Sequence, residues 1–360
     1  MENFTSFPGF HIVAFSTTST FNSFFFTMFL LLYLTGLLAN SVIIIVIYID
    51  EHLHTPMYLF LSNLSLIDLC YTTVTIPKLL YMLLSGNYTV SFIQCFTQMY
   101  FFDIFAVAEV VLLSTMAYDR YVAICNPLHY HHIFNRKLCV QLMVAIWTSG
   151  CLNSFLVTLS ASNISFCHSY IIQRYFCDAK SVMEIACANQ QLFYIVVYVE
   201  VLIFGCCPFF CSLMSYIKII SAILKIKSRD GRRKAFSTCS SHLTVLTVFY
   251  GTVTSDFMMP QSDQNRVLEL VFTVLYTVFT PMLNPLIYSL QNKDVKKAVK
   301  KCIGLKLEMC GSVLQKTEHT QISRLQVDPS PSSSFPTKLG LQNEAKRHLP
   351  GIGTRVFWIR

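Results

Sequence analysis

Asp119-Arg120-Tyr121 closes an apolar run that also carries Glu109, and a second acid, Asp68, sits in an earlier apolar run. A guanidinium inside hydrocarbon costs roughly 2.5–3.5 kcal/mol or more, so such a charge needs a partner or a task. For one helix starting at Met57 and another ending near Arg120, Asp68 and Glu109 are each eleven residues from the inner end. By helical rise that is about 16 Å deep. Two carboxylates at one depth repel unless one is protonated or a cation sits between them. Both readings stand: a bound cation, or a protonated pair held by hydrogen bonds. Arg120 follows Glu109 by eleven residues, which returns to within about 20° of the same helical face. Both side chains should therefore look into a helix bundle. The simpler alternative for Arg120 is an anchor that snorkels to the headgroups.

Three further acids, Asp103, Glu200 and Asp256, lie in apolar stretches. Asp103 precedes Arg120 by seventeen residues, about 25 Å toward the outer mouth. Together they suggest a site favouring amines or polar molecules. The alternatives are protonated acids bonded to neighbouring helices, or acids wetted from outside. No nucleophile–base arrangement, glycine-rich phosphate loop or zinc-ligand spacing is present, so no covalent chemistry is expected.

The elements that hold these groups are membrane spans. Hydrophobic residues make up 54% of the 360 and charged residues 13%, against about 25% charged in a soluble domain. Seven stretches have the length and apolarity for about 30 Å of hydrocarbon: 24–48, 57–84, 96–122, 139–160, 191–224, 236–259 and 267–290. The net charge of +8 is concentrated after the third, fifth and seventh spans. Arg136 and Lys137, then the stretch from Lys225 to Lys234, then Lys293 to Lys301 carry much of it. Basic loops remain cytoplasmic, so the N-terminus is outside and the C-terminus inside. This placement speaks against nucleic acid as the basic protein's partner.

The resulting fold class is an all-α membrane protein, a seven-transmembrane-helix bundle at 24–290 behind an extracellular segment at 1–23. No cleaved signal peptide is expected. Asn3 starts a glycosylation sequon in the outer segment. Residues 291–303 space Val295, Ala298, Val299 and Cys302 among lysines, the pattern of a short amphipathic helix on the inner leaflet. Residues 304–360 are expected to be a cytoplasmic, disordered tail, and Cys302 and Cys310 are candidate palmitoylation sites. Pro208 and Pro285 interrupt spans and should kink them. Cys95, Cys167, Cys177 and Cys187 fall in outer segments where disulfides persist, and four cysteines allow three pairings.

Six stretches carry a family resemblance, in order and each in the expected helix or loop. They are Leu53-His54-Thr55-Pro56-Met57-Tyr58, the run from Leu64 to Cys70, the run from Met116 to Cys125, Ser215-Tyr216, the run from Lys234 to Leu243, and Pro281-Met282-Leu283-Asn284-Pro285-Leu286-Ile287-Tyr288. Together they resemble odorant (olfactory) receptors of the rhodopsin-like, G-protein-coupled class. One departure is Ala39-Asn40, where Gly-Asn is usual, and another is the long tail.

The resemblance implies pairings Cys95–Cys177 and Cys167–Cys187. It implies a sodium site at Asp68 and Glu109 with Asn40 and Asn284, and no other cofactor. It implies that Arg120 pairs with Asp119 at rest and swings toward Tyr216 on activation, with Tyr121, Pro285 and Tyr288 in the same machinery. It places an odorant in the outer half of the bundle, among Phe102, Asp103, Ala106, Val107, Glu200, Tyr250, Thr254 and Tyr276. The implied partners are a small odorant, a stimulatory heterotrimeric G protein that raises cyclic AMP, and membrane lipids. The implied location is the plasma membrane of olfactory cilia. Two other readings compete: a rhodopsin-like receptor for an amine or hormone, and a transporter or channel. The latter would need a continuous path of intramembrane charge, whereas the apolar Ala106 lies above Asp68 and Glu109.

Overall fold

A computed structural model describes residues 9–13, 19–166, 170–188, 190–259, 265–291 and 294–301. Asn3, Cys167, Cys302, Cys310 and the tail from 304 lie outside them. Among the described residues, seven long helices form the bundle: α1 Ser19–Ile49, α2 Pro56–Ser85, α3 Phe92–Cys125 and α4 Arg136–Ser162 come first. Next is α5, Gln191–Glu200 running through a π-helical turn Val201–Cys206 into Cys207–Leu224. Then come α6, Arg229–Met258, and α7, Arg266–Val274 running through a π turn Leu275–Phe279 into Thr280–Gln291. Among the described residues, six helices are long and apolar enough to cross a membrane. The composition of α6 is more polar, because basic residues begin it and Ser237, Ser240, Ser241, His242 and Thr244 follow.

Local chemistry explains the helix ends. Pro56 occupies the first turn of α2, where its missing N–H is no loss. Gly86 ends that helix at φ 67°, its N–H bonded to the Met82 carbonyl, a left-handed cap that glycine adopts without strain. Ser91 and Gln94 cap α3 reciprocally, so α3 begins four residues before the apolar stretch at 96 does. Each π turn stops just ahead of a proline, Pro208 or Pro281, which cannot donate the next backbone bond. In α7 the Thr280 hydroxyl donates to the Leu275 carbonyl at 3.0 Å and relieves the disturbed ladder.

Two large packed regions and a smaller third, of Met99, Val157, Phe193 and Val197, fill the bundle among the described residues. The inner one gathers Ile43, Leu61, Leu112, Leu113, Ile219, Val245 and Tyr288. The outer one gathers Phe29, Tyr71, Phe102, Tyr175, Phe176 and Tyr276. Lipid is as apolar as leucine, so close packing and polar contacts hold such helices together. At Gly150 a β-carbon would lie 2.8 Å from the Ile104 carbonyl, so glycine permits the close approach of α4 to α3. Leu38, Leu152, Phe155 and Leu202 face outward, as lipid contact requires.

Small sheets cover the outer end. Strand β1, Gly9–Ile12, pairs antiparallel with β2, Thr89–Ser91; the short β3 is Ser165–Phe166, and β4, Ile171–Ile172, pairs parallel with β1. Strand β5, Ala186–Ala188, pairs with β3. Phe10 is buried beneath, its ring 4.8 Å from Phe92 and 5.2 Å from Phe166. At the inner end residues 294–301 are helical, with Val295 and Ala298 buried and the lysines outward.

Candidate ligand-binding and signalling site

The buried acids at mid-depth come together. Asn284 on α7 donates its amide to both Asp68 oxygens, each at 3.2 Å. Asp68, Glu109, Asn40 and Asn284 are all at most 2% exposed. Asn40 spends its amide N–H groups on the Gly36 and Pro281 carbonyls, at 3.1 and 3.0 Å. Asn40 Oδ1, Glu109 Oε1 and Asn284 Oδ1 have no hydrogen-bond partner among the described residues. Unsatisfied oxygens beside two carboxylates are the donor set a hard cation takes. Among the described residues no group of three or more His, Cys, Asp or Glu forms a metal site.

At the inner end of α3, Arg120 Nε lies 3.6 Å from Asp119 Oδ2. The Tyr130 hydroxyl, from the loop before α4, donates to Asp119 Oδ1 at 2.8 Å. Burial, then the neighbouring Asp119 charge, push the Tyr130 phenol above its usual range, so it keeps its donor proton. Tyr216 on α5 is buried and its hydroxyl hydrogen-bonds His242 Nδ1 on α6 at 2.9 Å. Tyr121 lies under the Lys218 ammonium, 5.3 Å from the ring centre. Tyr288 is fully buried, with no partner for its hydroxyl among the described residues. Pro285 sits inside α7, one residue from Asn284.

In the outer half, the eight candidate ligand contacts divide. Phe102 and Tyr276 share the outer packed region, with Ala106 against it; Phe102 meets Tyr71 at 4.8 Å and Phe176 at 4.6 Å. Val107 is buried. Tyr250 stacks edgewise on Phe209 of α5 at 5.1 Å. Asp103 and Glu200 turn toward α4, where the Asn153 amide donates to each at 3.0 Å. Thr254 does not join them. It is exposed on the outer surface of α6, and the partly buried Val253 takes the inward direction. A helix rotates by about 100° per residue, so one position of error in phase turns a side chain from pocket to lipid.

Asp256 belongs to a separate network that the sequence did not suggest. Arg174, from the outer loop, reaches Asp256 at 2.9 and 3.0 Å, Glu269 of α7 at 2.9 Å and Asp178 at 3.3 Å. Lys180 reaches Glu269 at 2.7 Å and the Asp256 carbonyl at 2.9 Å. Thr273 donates to Asp256 at 2.9 Å. Burial alone would lower the Arg174 pKa, but Asp178 and Asp256 outweigh it and hold the guanidinium charged. Asp256 therefore has a cation already and does not converge with Asp103 and Glu200 on an amine. Glu184, on the loop helix Ala179–Ile185, is pushed up to about 7 by burial, then by repulsion from Asp178 and Glu269.

The loop is tied down beside this network. Cys95 and Cys177 form a disulfide across 82 residues, and the Cys177 N–H donates to Gln98 Oε1 at 3.0 Å. Cys187 is also disulfide-bonded; its expected partner Cys167 lies outside the described residues. The Tyr175 hydroxyl hydrogen-bonds Thr277 of α7, so the loop reaches into the bundle and joins its outer packed region.

Comparison with known proteins agrees with this architecture. The family model described as "Olfactory receptor" matches residues 29–306. Olfactory receptor 1 of Rattus norvegicus is 47% identical over 277 residues, covering 77% of this chain and 88% of that protein. Olfactory receptor 1E16 of Mus musculus is 47% identical over the same length. Olfactory receptor 1M1 of Homo sapiens is 42% identical over 306 residues, 85% of this chain and 98% of the relative. A receptor family, and not an enzyme family, accounts for the bundle, the arginine at its inner mouth and the loop fastened over its outer end. The chain belongs to the olfactory receptor family, and it is a multi-pass membrane odorant receptor that acts through a G protein.

Proposed function

We propose that this receptor couples to the stimulatory class of G protein and raises cyclic AMP in olfactory cilia. Its ligand is a small, mainly apolar molecule held among Phe102, Ala106, Val107, Tyr250 and Tyr276. The observation that carries the reading is the restrained Arg120, paired with Asp119, near the α5–α6 contact of Tyr216 with His242. Ligand binding favours an arrangement in which these two contacts exchange partners and the inner mouth opens. A ligand shifts that balance only by its differential affinity for the two states. Asp103 and Glu200 act through Asn153 as a polar wall of this ligand site, and a ligand donor group that competes for them binds there.

Asp68, Glu109, Asn40 and Asn284 would hold a sodium ion, which supplies a positive charge between the carboxylates and steadies the resting packing. The test is a cyclic AMP reporter in transfected cells with an odorant panel that includes amines, at matched surface expression. A ligand-dependent rise, lost in Arg120→Ala, supports the coupling. A response carried only by a different G-protein class overturns it.

A further inference from the structure

Where the first inner loop meets the helix at 294–301 lies a cavity of about 290 Å³, just below the roughly 300–1,000 Å³ range of ligand sites. Its floor is Leu53 and Ala298, both buried. Its walls carry Asp50, His52, Asp294, Lys297 and Lys301. The lining is therefore not simply basic, since two carboxylates and two ammonium groups share one opening. The acids are held in place: Asp50 accepts the His52 N–H at 3.2 Å, and Asp294 accepts the Tyr58 hydroxyl at 3.5 Å. Lys297 and Lys301 are four residues apart, on one helical face, and exposed. The site sits at the inner ends of α1 and α2, level with the headgroups of the cytoplasmic leaflet. Ile45, Tyr48 and Ile49 on α1 are exposed nearby, an apolar track for acyl chains.

We propose that this cavity seats the headgroup of an aminophospholipid, in which a phosphate stands beside a primary ammonium. The phosphate lies between Lys297 and Lys301, and the ammonium donates to Asp50 and Asp294. Phosphatidylethanolamine and phosphatidylserine both carry this pair of groups. Phosphatidylglycerol has the phosphate but brings no cation to the two carboxylates. Choline carries a quaternary nitrogen and cannot donate a hydrogen bond to them. General attraction of a lysine-rich helix to an anionic leaflet predicts selection by net charge. The mixed lining predicts selection by the primary ammonium, and that contrast makes the site testable.

The experiment reconstitutes the full-length receptor in phosphatidylcholine vesicles doped equally with photoactivatable phosphatidylethanolamine, phosphatidylserine or phosphatidylglycerol. Labelled peptides are then mapped. Ethanolamine and serine lipids should label the peptides spanning 50–53 and 294–301 about fivefold more than the glycerol lipid, and each lysine lost in Lys297→Gln and Lys301→Gln should cost about fivefold. Asp294→Asn should abolish the preference for ethanolamine over glycerol while phosphate-dependent labelling persists. Unlabelled phosphatidylethanolamine should displace the label from the wild type, which needs no variant to fold. Equal or stronger labelling by phosphatidylglycerol in the wild type, or labelling confined to other peptides, overturns the proposal.

Discussion

Arg174 and Asp256 stand 82 residues apart in the chain, yet Nη2 of the arginine reaches both carboxylate oxygens, at 3.0 and 2.9 Å. Both side chains are almost wholly buried, 3% and 1% exposed. The contact fastens the outer loop to α6, and Glu269 extends it to α7. Breaking a buried pair from one side costs about 3–5 kcal/mol, because the other charge is left without compensation. Arg174→Gln strips the guanidinium from Asp178, Asp256 and Glu269 together and leaves Lys180 on Glu269, whereas Asp256→Asn leaves Arg174 with two acids. The expected order of thermal stability in detergent is wild type, then Asp256→Asn, then Arg174→Gln, with the double variant above the arginine variant. Equal stability of all four would refute a stabilising role.

Tyr130→Phe removes the donor to Asp119 and leaves its resting partner Arg120 at 3.6 Å as the main restraint. A hydrogen bond to a charged group contributes about 1.5 kcal/mol or more, and that is roughly tenfold in a two-state ratio. Ligand-free cyclic AMP should therefore rise in this variant at matched surface density. The aromatic stacking of Tyr130 on Phe134, at 5.7 Å, survives the change, so a rise reports the lost hydroxyl. An unchanged baseline would show that Tyr130 does not hold Asp119 at rest.

Much of this arrangement can be read along the chain. Helical rise alone puts Asp68 and Glu109 at one depth, because spacing within a single helix follows a 3.6-residue period. Asn284, 216 residues from the Asp68 it bonds, enters only through the family resemblance. Arg174 is different: its partners Asp256 and Glu269 lie 82 and 95 residues away, and no local period connects them. The same holds for Asn153, which reaches Asp103 and Glu200 from a third helix, and for β1, whose pairing needs two distant loops. Thr254 was misplaced for another reason. Ser, Thr and Tyr are spread around α6, so its polarity marks no single inward face.

Glu184 makes the outer loop sensitive to pH. Burial and the nearby Asp178 and Glu269 raise its carboxyl to about 7 in the folded protein, above an unfolded value of about 4.3. The folded state then binds more protons than the unfolded state between those values, so stability falls as pH rises through that window. Arg174 and Lys180 moderate the effect. The wild type should lose melting temperature between roughly pH 4.5 and 7.5 relative to Glu184→Gln, whose neutral side chain lacks this titration. Parallel pH profiles for the two proteins would contradict the assignment.

The eight outer-half contacts also separate into testable classes. Thr254→Ala alters a lipid-facing position and should leave the odorant EC50 unchanged. Ala106→Leu adds volume beside Phe102 and Tyr276; overpacking of this kind costs about 1–3 kcal/mol, and it should raise the EC50 roughly tenfold. Concentration–response curves at matched expression decide the matter. A strong effect at Thr254 with none at Ala106 would move the ligand outside the packed outer region.

The mid-depth acids allow the two readings of Asp68 and Glu109 to be told apart. A sodium ion bound only to the folded receptor, at ten times its dissociation constant, stabilises it by about 1.4 kcal/mol. Exchanging sodium for choline at constant ionic strength should then lower the melting temperature of the wild type but not of Asp68→Asn. A protonated pair behaves otherwise: it responds to the proton concentration and ignores which monovalent cation is present. The unpartnered oxygens of Asn40, Glu109 and Asn284 favour the ion, because a shared proton between two carboxyls satisfies neither amide oxygen. A melting temperature indifferent to sodium in the wild type would leave those oxygens to buried water and the acids to their proton.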